Sequence, residues 1–129
     1  MGFTAYASHT RSYNSEDVVI FDVVINNFGS YYRSDLSQFR CPYHGIYFFS
    51  VNFNSMNSQE MYSRIVLDGE RLIEALAYAS DERNHAGTLV FAECNAQQTV
   101  WVQATSESEM VGGNARSSSF SGYLLNRLD

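Results

Sequence analysis

Two aromatic runs, each interrupted by a single glycine, restrict this chain more than anything else in it. The first is Phe39-Arg40-Cys41-Pro42-Tyr43-His44-Gly45-Ile46-Tyr47-Phe48-Phe49, and the second is Ser119-Phe120-Ser121-Gly122-Tyr123-Leu124-Leu125. Aromatic side chains suit a pleated, packed surface, and a lone glycine inside such a run marks a place where two backbones approach too closely for a Cβ. Both runs therefore read as buried strands.

The rest of the chain repeats the theme in shorter pieces. Segments 3–8, 18–21, 23–25, 31–32, 46–53, 64–67, 72–78, 88–94, 99–104 and 118–125 read as strands. Phe49, Val51 and Phe53 alternate with Ser50, Asn52 and Asn54, the pattern of a half-buried strand. A polar loop is expected over residues 9–17, and a turn at Asn26-Asn27-Phe28-Gly29. Asp68-Gly69 is a two-residue hairpin signal. The Leu, Ala and Glu content of 71–79 could also support a helix. The hairpin before that segment and the polar loop after it favour a strand. Ten strands in 129 residues, with turn signals every 8 to 12 residues, make an all-β, antiparallel ten-stranded jelly-roll sandwich.

Length and composition agree. A chain of 129 residues is one domain, able to bury roughly two-thirds of the surface its unfolded form exposes. Its 15% aromatic content and single proline exclude disordered and collagen-like classes. No apolar run reaches the roughly 18 residues of a membrane helix. No basic, then apolar leader opens the sequence. Met1-Gly2 reads as a start residue and a vector-derived glycine ahead of a domain over 3–129. No internal repeat or linker is present.

The formal charge of −6 argues against nucleic-acid binding. All eight basic residues are arginine, whose planar fork suits carboxylates. That choice reads either as compositional drift or as capture of acidic groups. Cys41 and Cys94 have neither CxxC nor His-paired spacing, so zinc and redox chemistry are not expected. Two free, buried thiols are the favoured reading, with a Cys41–Cys94 disulfide as the alternative. No asparagine begins an N-x-Ser/Thr sequon.

Catalytic patterns are absent. His9, His44 and His85 are scattered, without H-x-H or H-E-x-x-H spacing. Ser121 falls mid-strand rather than on a nucleophile elbow, and Gly112-Gly113 is no phosphate loop. The chain is not expected to be an enzyme.

Several stretches resemble the globular head of complement C1q, within the C1q/tumour-necrosis-factor superfamily. They are Phe21-Asp22, Val24, Asn27, Gly29 and Tyr32; Phe39-x-Cys41-Pro42 followed by Gly45-x-Tyr47-Phe48-Phe49-Ser50; Val100-Trp101; and Phe120-Ser121-Gly122-Tyr123-Leu124-Leu125. They span almost the whole chain in the family's order. Two departures touch local turns. Ala96-Gln97-Gln98 replaces a Gly-Asp turn, and Tyr43-His44 replaces a Val-Pro-like pair.

Alternation of antiparallel strands puts loops 55–60, 80–86 and 106–116 at one end. The Asp68-Gly69 and 95–98 turns fall at the other, with both termini. In the resembled family the first set forms the apex. Here those loops carry Glu60, Asp81, Glu82, Glu107 and Glu109 among Arg83, Asn84, His85 and Arg116. Arg83, Asn84, His85, Glu107, Glu109 and Arg116 are the candidate ligand contacts. The acids read either as solvated loop charge or as a hard-cation site, because calcium prefers loop oxygens. The resemblance makes Asp81 and Glu82 the candidate Ca²⁺ ligands. It also implies a secreted homotrimer, with Phe3, Tyr6, Tyr47 and Tyr123 as candidate subunit contacts. The implied function is a lectin-like, pattern-recognising head that binds glycan, microbial or protein ligands, as in innate immunity. A cytokine- or adipokine-type receptor ligand and a structural trimerisation head are the alternatives.

Overall fold

The computed structural model describes residues 1–55, 60–77, 84–113 and 116–128. Its strands are β1 (Gly2–Tyr6), β2 (Arg11–Tyr13), β3 (Val23–Phe28), β4 (Tyr32–Arg33), β5 (Gln38–Arg40), β6 (Gly45–Ser55), β7 (Met61–Leu67), β8 (Glu70–Ala77), β9 (Asn84–Cys94), β10 (Thr99–Ala104), β11 (Ser108–Met110) and β12 (Ser119–Arg127). They form two antiparallel five-stranded sheets, ordered β3-β1-β12-β6-β9 and β4-β5-β10-β7-β8, with a small β11-β2 ribbon at one side. This is the expected jelly-roll sandwich. Residues 71–77 are strand rather than helix, and Asp68 and Gly69 both take positive φ in the tight turn that leads into it.

Four local expectations change. Strands β2, β5 and β11 fall outside the predicted set, because three-residue pieces such as Arg-Ser-Tyr carry no periodicity and are formed by their partners. Residues 18–21 make only an isolated bridge, Val18 to Gln103. Two of their N–H groups bond to side chains instead, Ile20 to the Tyr13 hydroxyl at 3.1 Å and Phe21 to Ser37 Oγ at 2.9 Å. The turn expected at 26–29 arrives later, because β3 runs on to Phe28 and Gly29 and Ser30 take the positive φ angles. Asn27 closes that loop through its amide, donating to the Tyr32 carbonyl and accepting the Tyr32 N–H. Finally, Cys41 and Cys94 form a disulfide with their Cα atoms 6.5 Å apart, not two free thiols. It joins the end of β9 in one sheet to the segment after β5 in the other.

The core is a ring cluster drawn from both sheets. Phe3 stacks on Tyr32 at 4.4 Å and on Phe39 at 5.1 Å, and meets Phe120 edge-on at 5.0 Å. Phe49 packs against Phe39 at 5.8 Å. The two glycines that interrupt the aromatic runs serve different neighbours. A Cβ on Gly45 would lie 2.6 Å from the Asn126 carbonyl oxygen, a true backbone approach. A Cβ on Gly122 would instead lie 2.6 Å from Phe49 Cδ1 and 2.9 Å from Phe3 Cε1. Rings fill the space of that missing side chain.

Gly122→Val should therefore force two packed rings apart and lose about 1–3 kcal/mol or more, abolishing soluble expression or sharply lowering the urea midpoint. An unchanged melting temperature would show that the site tolerates a Cβ.

Candidate functional site

Two surfaces stand out, one at an end of the sandwich and one on a face. At the end, register brings together the described residues that flank the loops grouped by sequence alternation, with Asn84 and His85 lying in the start of β9 rather than in a loop. Ser55 pairs with Asn84 and Asn54 with His85, the Glu109 N–H donates to the Glu60 carbonyl, and the Val111 N–H donates to the Asn54 carbonyl. The Asp68-Gly69 and 95–98 turns lie at the opposite end, where the Asp68 N–H reaches the Thr99 carbonyl and the Cys41 N–H reaches that of Gln98.

The apical loops are rooted by buried hydroxyls. Ser118, fully buried, donates to the Val111 carbonyl at 2.6 Å and accepts the Asn54 N–H at 3.2 Å. Ser108 accepts the Tyr62 N–H at 3.0 Å and donates to the Ser106 carbonyl. Above them, Glu60, Glu107 and Glu109 line a depression of about 390 Å³ with Ser12, Tyr13 and Asn14. Glu60 accepts the Tyr62 hydroxyl and Glu109 that of Ser12. Burial pushes the Tyr13 phenol above its ordinary range, and its hydroxyl accepts the Ile20 N–H. His85 is exposed, with Nδ1 2.9 Å from Asn54 Oδ1, and Asn84 is half-buried beside it. Arg116 stacks its guanidinium 4.9 Å above the ring of Tyr6, joining a candidate ligand contact to a candidate subunit contact. Asp81, Glu82 and Arg83 lie outside the described residues. Among the described residues, no group of three or more His, Cys, Asp or Glu side chains could hold a metal ion.

The second surface is the outer face of the β3-β1-β12-β6-β9 sheet. One register row crosses all five strands: Phe28, Gly2, Tyr123, Phe48 and Phe91. Phe48 lies 5.3 Å from both the Phe91 and the Tyr123 rings. Phe28 is 67% exposed, Phe91 60% and Tyr123 44%. Leu89, in a neighbouring row, is also exposed. Three exposed rings and the half-buried Phe48 in one row make this face a candidate contact surface.

This row corrects two candidate contacts. Phe3 and Tyr47 point inward and are 3% and 0% exposed within the single chain, so they are core residues. The Tyr47 hydroxyl is spent on the Tyr43 backbone, donating to its carbonyl and accepting its N–H. Tyr123 and the half-buried Tyr6 do face outward. Phe28, Phe48 and Phe91 share this outward row and were not among the sequence candidates, although parity points to Phe48: if Phe49, Val51 and Phe53 face the core, Phe48 cannot.

Comparison with known proteins fits this geometry. The C1q domain matches residues 2–125. The chain belongs to the C1q domain family. It is 29% identical to mouse complement C1q tumor necrosis factor-related protein 1 over 97 residues, 75% of this chain and 34% of that one. It is 30% identical to human multimerin-1 over 129 residues, 95% of this chain and 10% of that one. The chain thus spans only about a third and a tenth of these relatives. The globular domain of zebrafish complement 1qA shares the fold at a TM-score of 0.81 and 14% identity, over 98% of both chains. C1q-type domains are recognition or ligand modules rather than enzymes. Here Ser121 is tied mid-sheet to the Thr4 hydroxyl at 2.9 Å.

Ser118→Ala would leave the buried Asn54 N–H and Val111 carbonyl without their hydroxyl partner. The expected loss is about 1–3 kcal/mol of stability, with faster amide exchange at Asn54 and Val111. Unchanged exchange there would show that the hydroxyl does not root the loops.

Proposed function

We propose that this C1q domain, over residues 3–129, is the head of an extracellular homotrimer that recognises glycan, microbial-pattern or protein ligands through its apical loops. The exposed aromatic row of the outer sheet is the observation that carries the trimer. Three copies closing on that face would bury Phe28, Phe91 and Tyr123, which a lone chain leaves exposed, together with the half-buried Phe48 between them. Family precedent supports it, since C1q and tumour-necrosis-factor domains form trimers. The disulfide supports an oxidising, extracellular setting. Asn84, His85, Glu107, Glu109, Arg116 and the neighbouring Arg83 are the proposed ligand contacts. Threefold repetition would offset weak single-site affinity.

A receptor ligand of tumour-necrosis-factor type is the second reading. The fold is shared with Eiger TNF from S. frugiperda at a TM-score of 0.76 and with murine APRIL at 0.72. An array of glycans, lipopolysaccharide and receptor ectodomains separates the two. Selective glycan or lipopolysaccharide capture supports pattern recognition, and receptor-only capture supports the ligand. Silence throughout would leave a structural trimerisation head.

Sedimentation equilibrium at micromolar concentration should give a trimer. Phe48→Ser combined with Phe91→Ser should give a folded monomer, because both side chains face outward and neither supports the core. A monomeric parent chain would overturn the trimer.

For calcium, Asp81 and Glu82 are the proposed oxygen donors. Calcium should then raise the melting temperature beyond magnesium or ionic-strength-matched sodium chloride, because it binds only the folded state. Asp81→Asn with Glu82→Gln should remove the increment and keep the trimer. Equal stabilisation by sodium chloride would mean that the salt only screens repelling loop acids.

A further inference from the structure

At the end opposite the apical loops, a groove of about 270 Å³ is lined by Ser30, Tyr31, Arg33, Arg40 and Gln97. Its charge is unusual for this molecule. Arg11 and Arg71 pair with Asp22 and Glu74, Arg64 bonds Gln103, and Arg116 and Arg127 stack on Tyr6 and Tyr43. Arg33 is held by Asp35 through two bonds, from Nε at 3.1 Å and from Nη2 at 2.8 Å. Among the described residues, Arg40 alone of the arginines has a guanidinium with no ion pair, hydrogen bond or ring partner. It is exposed, in a chain of net charge −6 that offers many acids to pair with.

The groove is also preformed. The Arg40 N–H donates to the Tyr31 carbonyl at 3.0 Å, and the Gln97 N–H to the Cys41 carbonyl at 2.8 Å. The disulfide at Cys41 pins the same segment to β9. Tyr31 packs against the core, and its ring is so close to Gly29 that a Cβ there would lie 3.0 Å from Cδ2 and Cε2. Both rims are turn residues held at positive φ, Ser30 at 63° and Gln97 at 77°.

We propose that this groove binds an acidic sugar, its carboxylate on the Arg40 fork and its ring against Tyr31. The side chains fit each part of such a ligand. A planar guanidinium matches a carboxylate in bidentate fashion. An aromatic ring offers a flat apolar surface, and the Ser30 hydroxyl and Gln97 amide can meet sugar hydroxyls. The volume suits one monosaccharide rather than a polymer. A single free arginine on an acidic protein does not make a phosphate-backbone track. This goes beyond the apical reading and uses different residues at the other end of the molecule.

The test is a ¹⁵N NMR titration of the intact chain with methyl β-D-glucuronide, against methyl β-D-glucoside and sodium acetate. The glucuronide should shift the Tyr31, Arg40 and Gln97 amides. Arg40→Gln should weaken it about tenfold while keeping a dispersed spectrum, and Arg40→Lys should weaken it less. Equal binding of the neutral glucoside overturns the charge contact, and equal binding of acetate overturns the sugar contact. An unchanged affinity in Arg40→Gln overturns the site. So do shifts confined to Asn84, His85 and Glu109, which would speak for the apical surface instead.

Discussion

The spacing between the two sheets is set by rings that cross the interior from one to the other. Phe3, Phe49 and Phe120 come from the sheet that carries the exposed aromatic row, and Tyr32 and Phe39 come from its partner. Phe3 touches Tyr32, Phe39 and Phe120 with centroids between 4.4 and 5.1 Å. Burying one such ring is worth about 1.5–3 kcal/mol, and a good ring pair adds about 0.5–1.5 kcal/mol. Gly122 is the gap that lets Phe3 and Phe49 lie over β12. Everything that positions a surface in this molecule, loops and faces alike, hangs from strands whose registers that cluster fixes.

The same cluster decides what is left outside. In Ile46-Tyr47-Phe48-Phe49, Tyr47 and Phe49 enter the core, so Phe48 must leave it. An uninterrupted apolar run has the composition of a strand covered on both faces. One cover is the partner sheet. The second is missing from a single chain, and the row from Phe28 to Phe91 is the shape of what is missing. That is the physical case for the proposed trimer, and it stands on register rather than on likeness.

Much of this was legible before any coordinates. The glycine-broken aromatic runs gave the buried strands, Asp68-Gly69 gave its hairpin, and antiparallel alternation grouped the apical loops. The sequence could not show β2, β5 or β11, because a three-residue strand exists only through its neighbours' ladders. Naming Phe3 and Tyr47 as subunit contacts failed for a different reason. Knowing that a strand belongs to the contact sheet does not say which face a given residue takes, and a one-residue error in parity exchanges core for surface. Two cysteines 53 residues apart likewise give no clue to their pairing until the fold brings them within reach. Side-chain geometry at the apex, such as Glu60 bound to Tyr62 and His85 to Asn54, depends on rotamers that no pattern encodes.

The two ends of the sandwich are held by different chemistry, and the difference bears on recognition. One end is pinned covalently by Cys41–Cys94 and by the Tyr47 hydroxyl against the Tyr43 backbone. A groove there is rigid, and rigidity favours a small ligand whose few contacts cannot offset the cost of ordering the site. The other end is rooted by Ser108 and Ser118, which satisfy backbone groups near the strand ends. A small hydroxyl does this without reaching the loop tip. Residues beyond it can then change in length or charge without exposing an unpaired buried group. The proposed recognition role would need that separation. The serines beside the apical loops supply it, so loop side chains can be exchanged without leaving a buried backbone group unpaired.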